Sequence, residues 1–263
     1  MDLRELPAGV VARHPWERAR AQFFRRVLAD AGLLSAPCRM LDLGAGDGYV
    51  ASRLLERLPA GCSVACVDKG YTDDLIARFA SGAPPGLTFA RRRPDERFDM
   101  VLLLDVLEHV PDDSGFLREI VESALAPTGS VLVSVPAFGW LFTRRDRLLG
   151  HYRRYTRSSL QGVLGPSRLS VRRSGGLFHS LLLLRAAQKL VEQARGLHNT
   201  PGDPGLPPFV NTELGRWRAG AFVTTVVQAL LAGDIACSRL ASRIGLYVPG
   251  MSVWALGTLQ EKG

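Results

Sequence analysis

An apolar run ending in closely spaced glycines, followed about twenty residues later by a second apolar run ending in one carboxylate, leaves this chain few architectures to choose from. The first run and its turn read Met40-Leu41-Asp42-Leu43-Gly44-Ala45-Gly46-Asp47-Gly48-Tyr49, and the second reads Val64-Ala65-Cys66-Val67-Asp68. Both runs are continuous rather than alternating, as expected of strands covered on both faces in a parallel sheet. Glycines at the end of such a strand let the backbone approach a ligand closely. A carboxylate at the end of the next strand can accept both hydroxyls of a ribose. The pair points to an adenosine-containing cofactor.

The third glycine narrows the choice. A dinucleotide site wants G-x-G-x-x-G, because its last glycine lets a helix N-terminus close on a pyrophosphate. Here the spacing is G-x-G-x-G, and Tyr49 stands where the third dinucleotide glycine would be. That disfavours a dinucleotide oxidoreductase, and the absence of a following lysine excludes a P-loop. Read by itself, the turn also suits an ordinary strand-turn-helix with glycines for geometry. It resembles motif I of the class I S-adenosylmethionine-dependent methyltransferases, whose cofactor carries no phosphate. The resemblance implies that Asp42, Gly44, Ala45, Gly46, Asp68 and Lys69 line the cofactor, with Asp68 on the ribose.

A second signal is Phe98-Asp99-Met100-Val101-Leu102-Leu103-Leu104-Asp105-Val106-Leu107-Glu108-His109-Val110. A buried strand delivers Asp105 to the carboxyl edge of the sheet, and Val106 to Val110 form a turn over the cofactor position. The segment D-V-L-E-H-V resembles motif IV of small-molecule methyltransferases, including the ubiquinone-biosynthesis type, which implies cofactor contacts from Asp105 and Val106. His109 is either a packed histidine or a general base, since its pKa lies close to working pH.

The third signal interleaves aromatics with arginines: Trp140-Leu141-Phe142-Thr143-Arg144-Arg145-Asp146-Arg147-Leu148-Leu149-Gly150-His151-Tyr152-Arg153-Arg154-Tyr155-Thr156. A solvated basic helix face is the default reading of such a run. G-H-Y-R-R-Y, together with H-P-W-E-x-A-R near the N-terminus, resembles segments of bacterial methyltransferases acting on small or lipid-linked substrates. On that resemblance Trp16, His151, Tyr152, Arg153 and Arg154 are expected to contact the acceptor. Arg153 and Arg154 either clamp a carboxylate or phosphate or bond to the helix expected over 113–125. One departure concerns adenine: the family usually has an acidic residue after the third strand, whereas Arg91-Arg92-Arg93 follows Phe89-Ala90 here. Packing on Phe89 or a backbone contact would suffice.

Strands and helices alternate along the chain. An amphipathic helix is expected over 14–34, with Trp16, Phe23, Val27 and Leu28 at helical spacing. Strands follow at 39–43, 63–67, 87–90, 98–104 and 130–135, separated by helices ending at Leu58, Phe79 and Leu125. Segments 168–172 and 250–259 read as the sixth and seventh strands. The expected fold is a doubly wound α/β domain with a mostly parallel seven-stranded sheet and, by the resemblance, an antiparallel last strand. About seventy residues between the last two strands, where a hairpin would do, form a helical insertion. It has apolar helices at 177–193 and 219–243 and a proline-rich loop at 196–210. The expected organisation is a helical cap (1–36), the cofactor-binding core (37–173), the insertion or lid (174–248) and the final core strand (249–263).

Composition excludes several classes. Cys62 and Cys66 lie on a strand-like segment without partner histidines, so they read as buried apolar residues in a reducing compartment, and no metal site is expected. Met1 to Gly9 holds two acidic residues and no apolar core, so no secretory leader is expected. The longest apolar candidate, 219–233, is interrupted by Thr224, Thr225 and Gln228, which argues against a membrane span. The formal net charge of +8 suits nucleic acid, an anionic membrane or anionic substrates. No aromatic-studded basic strand or metal knuckle supports nucleic acid. The sequence thus points to a cytoplasmic S-adenosylmethionine-dependent methyltransferase of a small-molecule or lipid-linked acceptor, with O- or N-methylation favoured. Peripheral membrane contact through the insertion is one option. The alternative is a non-catalytic S-adenosylmethionine-binding subunit or scaffold.

Overall fold

The computed structural model describes residues 3, 13–194, 217 and 219–259. Seven strands form one sheet: β1 (Arg39–Leu43), β2 (Ser63–Val67), β3 (Leu87–Ala90), β4 (Phe98–Leu104), β5 (Leu125–Pro136), β6 (Leu169–Leu177) and β7 (Ser252–Leu259). Their order is β3-β2-β1-β4-β5-β7-β6. The first five are parallel, and β7 runs antiparallel between β5 and β6. The order reverses direction beside β1, so a crevice opens at the carboxyl ends of β1 and β4, where open α/β sheets take their ligands. β6 lies antiparallel to β7 and so ends on that same edge.

Each sheet face carries its own core. On one face α4 (Asp113–Ala124) and α6 (Arg157–Leu164) bury Leu117, Ile120, Val121, Leu160 and Leu164 against Val101, Leu103, Val131 and Val133. On the other, α1 (Pro15–Asp30), α2 (Tyr49–Leu55) and α8 (Ala221–Arg243) bury Phe23, Phe24, Leu28, Leu54 and Ile235 against Met40, Leu102 and Trp254. Strands covered on both faces explain their unbroken apolar runs. The helix α3 (Asp73–Ser81) buries no residue fully, and α5 (Arg144–Leu148) is a short turn after β5.

Several bounds differ from those read off the sequence. His14 caps α1 rather than belonging to it, its ring nitrogen accepting from the Trp16 amide, and the helix stops at Asp30. The helix α2 ends at Leu55. Leu125 opens β5, and the register with β4 shifts between Phe98 and Met100, so Pro127-Thr128-Gly129 sits in an irregular strand entry rather than a free turn. The strand β6 starts one residue later than expected, after the left-handed Arg168 (φ 57°), and continues to Leu177. Its extra length depends on glycine. A Cβ on Gly175 would meet the Trp254 ring 3.1 Å away, and one on Gly176 would strike the backbone of Val248 and Gly250.

The insertion consists of α7 (His179–Ala194) and α8, and the proline-rich loop at 196–210 lies outside the described residues. Ser180 donates from its amide and its hydroxyl to Asp234, and His179 Nε2 lies 2.9 Å from Ser238 Oγ. The helix α8 runs parallel to α1. Trp217, just before α8, packs edge-on against His14 at 4.7 Å, and at the far end Arg239 and Arg243 both bond to Asp30. Because α8 continues past Gly233 to Arg243, it becomes the one helix among the described residues long and apolar enough to cross a membrane, with mean hydropathy 1.5 over its best window. Its second half nevertheless buries Leu231, Asp234, Ile235 and Ser238 in the protein.

Gly250 closes the same seam from the other side, where a Cβ would strike the backbone of Leu177. Gly250→Val is expected to lower unfolding free energy by about 1–3 kcal/mol, the usual cost of forcing atoms into packed structure. Urea unfolding checks it through a lower midpoint at unchanged slope.

Candidate functional site

The glycine turn after β1 has the conformation its composition allows. Gly44, Gly46 and Gly48 all have positive φ (69°, 57° and 69°), where L side chains are strained. Space is short as well. A Cβ on Gly44 would lie 2.8 Å from Val106 Cγ2, and one on Gly48 2.7 Å from the Phe89 ring. The turn is tied to the end of β2: the Gly44 amide donates to the Val67 carbonyl (2.8 Å), and the Gly46 amide to Asp68 Oδ2 (3.2 Å). Asp68 Oδ1 accepts from the Gly70 amide (2.9 Å), which leaves the carboxylate half-buried and fixed at the mouth of the crevice. Lys69 is exposed beside it, and Ala45 is buried under the turn.

Tyr71, which sequence reasoning did not single out, donates its hydroxyl to the Gly46 carbonyl at 2.6 Å. Its ring belongs to a cluster with Phe79 and Phe89. Arg91 then has a local role: Nε donates to the Tyr71 carbonyl (2.8 Å) and Nη2 to Asp73 (2.6 Å). The basic residue after β3 thus holds Tyr71 in place.

Asp42, on β1, is buried, and that burial pushes its carboxyl up to about 7, with Asp68 and Asp47 adding to the effect and Arg20 opposing it. Arg20 reaches from α1 to Asp105 (Nη1 to Oδ2, 2.6 Å), while its Nη2 is buried without a hydrogen-bond partner. Arg13 bonds to Asp47 (2.5 Å) and lies 4.2 Å over the Tyr49 ring. Arg20 of α1 and Arg13, just before its cap, therefore close one side of the crevice with their cations. Trp16, on the same helix, packs edge-on against Phe178 at 6.3 Å. Asp105, Phe138 and Phe178 each end a strand at this edge, and each has positive φ (61°, 60° and 64°) although none is glycine.

The turn after β4 places Leu107–His109 in one 3₁₀ turn. Glu108 is wholly buried with neither carboxylate oxygen hydrogen-bonded, and burial, reinforced by Asp105, pushes its carboxyl well above the ordinary range. His109 meets the His151 ring edge-on, centroids 4.6 Å apart. Donor atoms of Glu108, His109 and His151 all lie within 4.8 Å of one another. The segment carrying His151 is anchored to this turn by the Tyr152 amide, which donates to the Glu108 carbonyl (2.7 Å). Tyr152's own side chain is exposed.

Asp146 organises that segment, and sequence reasoning passed over it. Its buried carboxylate accepts from the Thr143 amide and hydroxyl, from Arg154 Nε and Nη2, and pairs with His151 Nδ1 at 2.9 Å. Burial works against its ionisation, but His151 and Arg154 outweigh it and hold the carboxyl far below the usual range. Arg154 spends its fork on Asp146 and its remaining nitrogen on the Ala137 carbonyl (3.2 Å). Arg153 bonds to Asp113 (3.1 Å) and the Pro111 carbonyl (2.5 Å), with the Tyr155 hydroxyl on the same carboxylate. Of the two roles open to this pair, the structure places both arginines in bonds within the protein, Arg153 at the start of α4. Asp146 stands five residues before His151, and its partners become visible only once the loop has folded.

Comparison with known proteins agrees with this geometry. Residues 16–168, more than half of the chain, match the family model described as methyltransferase domain. An ubiquinone biosynthesis O-methyltransferase of Paramagnetospirillum magneticum is 32% identical over 117 residues, covering 40% of this chain and 46% of that protein. One of Rhodopseudomonas palustris is 30% identical over 111 residues, covering 40% and 42%. The chain thus spans less than half the length of the curated relatives it matches. Among solved structures, the [4+2]-cyclase SpnF superposes with TM-score 0.55 at 16% identity, covering 97% of this chain and 86% of that one. A protein of Galdieria sulphuraria assigned as a sarcosine dimethylglycine methyltransferase gives 0.52 at 16%, covering 93% and 86%. At such identity these two speak for the fold alone. The family match over residues 16–168, with the glycine turn held on Asp68 and the D-V-L-E-H-V turn beside it, places this chain in the methyltransferase domain family.

Proposed function

We propose that the protein binds S-adenosylmethionine in the crevice at the ends of β1, β2 and β4 and methylates a hydroxyl of a small or lipid-linked acceptor. The observation that carries this reading is the left-handed Gly44–Gly46 turn held open against Asp68. The space a Cβ would fill at Gly44 is kept clear, and a carboxylate stands at its rim. Asp68 would hold the ribose hydroxyls, and Asp42 and the turn backbone the methionine end. When bound, the cofactor supplies an electrophilic methyl on a sulfonium.

The remaining work falls to the chain's own residues. Trp16 and Phe178, packed edge-on, form an apolar wall that excludes water and orients an acceptor, and such orientation can supply about 7–11 kcal/mol of a barrier. A hydroxyl must also lose its proton, and the paired imidazoles of His109 and His151 are the residues placed to take it. Asp146 holds His151 in one orientation by accepting at Nδ1. Oxygen is favoured over nitrogen because the two curated relatives are O-methyltransferases. A folded protein that binds cofactor but never turns it over to S-adenosylhomocysteine with any hydroxylated acceptor would favour the scaffold reading instead. Loss of turnover in a chelator, restored by a divalent cation, would replace the base by a cation held on Glu108, His109 and His151.

Three outcomes are expected. Asp68→Ala should weaken S-adenosylmethionine binding about tenfold to a hundredfold in calorimetry, the worth of a charge-assisted contact. Asp42 stays protonated in the free protein until the pH nears 7. A cationic cofactor nearby favours its carboxylate, so binding should release protons and tighten as the pH rises from about 5 to 7. Calorimetry in buffers of different ionisation enthalpy detects the release, and Asp42→Asn should abolish it. Finally, His109→Ala should lower turnover by roughly 10²–10⁴-fold with cofactor affinity unchanged, whereas a loss under about threefold would leave His151 as the sole base.

A further inference from the structure

The helices α7 and α8 stand at the ligand edge. The strand β6 ends there at Leu177, and Ser180 and Asp234 bond at that level. Beyond this pair α7 runs on to Ala194, and α8 extends back to Ala221, about 20 Å at the helical rise per residue. This outer half is held to the start of α1 by Trp217 on His14, yet its outward surface differs sharply from that of the inner half, which the Asp30 ion pairs hold on α1. From Ala221 to Gly233 the helix α8 has no charged residue, and of residues 221–230 all but Thr224 and Val227 are exposed. Phe222 is 81% exposed, and Val226 and Leu230 on α8 and Leu183, Leu190 and Val191 on α7 are exposed with it.

A helical stretch without charge that exposes Phe222, Val223, Val226 and Leu230 together is normally covered by a core or by lipid. A lipid interface can cover this broad outward face and that of α7 at once. The neighbourhood suits lipid too. Lys189 of α7 donates to the Trp140 carbonyl and lies 5.5 Å from the Trp140 ring. Trp140 and Tyr152 expose amphipathic rings of the kind that settle at headgroup level, together with Leu148 and the cation of Arg147. The chain as a whole carries a formal charge of +8.

We propose that the exposed faces of α7 and α8 that carry Leu183, Leu190, Phe222, Val226 and Leu230 lie in the interfacial layer of an anionic bilayer, with Trp140 and Tyr152 at headgroup level and Lys189 and Arg147 toward the lipid phosphates. The inner half of α8 stays on α1 through Asp30, Arg239 and Arg243, so the helix docks without spanning. The mouth at Trp16 and Phe178 then faces the membrane, and a lipophilic acceptor enters along the surface. This docking does not depend on the methyl-transfer reading.

The test is flotation of the full chain with vesicles of phosphatidylcholine alone or with added phosphatidylglycerol, at low and physiological salt. The expected result is co-flotation with anionic vesicles that weakens with salt. The double variant Leu190→Glu/Phe222→Glu should lower partitioning about a hundredfold, roughly tenfold for each apolar side chain withdrawn. Both positions are exposed, so S-adenosylmethionine binding and thermal midpoint should match wild type; if they do not, Leu190→Ser/Phe222→Ser takes its place. Failure of the wild type to float at either salt, or equal flotation of the variant, overturns docking. Equal flotation with neutral vesicles overturns the choice of an anionic surface. A wild-type dimer in light scattering that becomes monomeric in the variant, without flotation, assigns the face to a second copy instead.

Discussion

The site rests on a small lattice of hydrogen bonds between the glycine turn after β1 and the end of β2. The Val67 carbonyl accepts from Gly44, Asp68 accepts from Gly46, and the Tyr71 hydroxyl donates to the Gly46 carbonyl. None of these groups can be satisfied within β1, because the chain leaves the ladder there. If the turn relaxed, a buried carbonyl and two amides would lose partners, each at a cost of about 1–3 kcal/mol. The open conformation of the turn is therefore the one in which its own backbone is satisfied. The crevice is preformed, and Arg91, far along the chain, contributes by holding Tyr71.

A second lattice on the other side of the crevice works by charge. Asp146 gathers Thr143, His151 and Arg154 around one buried carboxylate, while Glu108, a few ångströms from the same histidines, has neither carboxylate oxygen hydrogen-bonded. Two buried acids in one neighbourhood thus have their pKa values moved in opposite directions. The environment decides between them: five bonds hold Asp146 down, whereas burial with Asp105 nearby raises Glu108. The outcome is one imidazole, that of His151, held in a fixed orientation against the ring of His109.

The architecture was largely legible in the sequence, since apolar runs and glycine spacing are local signals. The five parallel strands and the two helices before the last strand follow from such patterns, whereas the direction of the last strand came from the family resemblance. Where the reading slipped, longer-range contacts decided. The strand β6 extends to Leu177 because Gly175 and Gly176 fit beneath Trp254 and against Val248, residues more than seventy positions away. Arg20 lay inside a recognised segment, yet its pairing with Asp105 spans the crevice and leaves no mark on spacing. For Arg153 and Arg154 the sequence left an anion clamp and bonds to the helix at 113–125 both open, because an arginine pair advertises its charge, whereas the acids that take it up, Asp113 and Asp146, are ordinary residues until the loop closes.

Asp105, Phe138 and Phe178 end three successive ligand-edge strands with left-handed backbone, and a non-glycine residue in that region costs of order 1–3 kcal/mol. Glycine at each position would relieve this cost and remove the side chain, whether a carboxylate paired with Arg20 or a ring at the mouth. The chain thus gives up global stability where it builds its pocket. Selection for heat resistance alone would erode these three positions first, and a thermostable descendant that kept them would have found its stability elsewhere, in the helices or the far edge of the sheet.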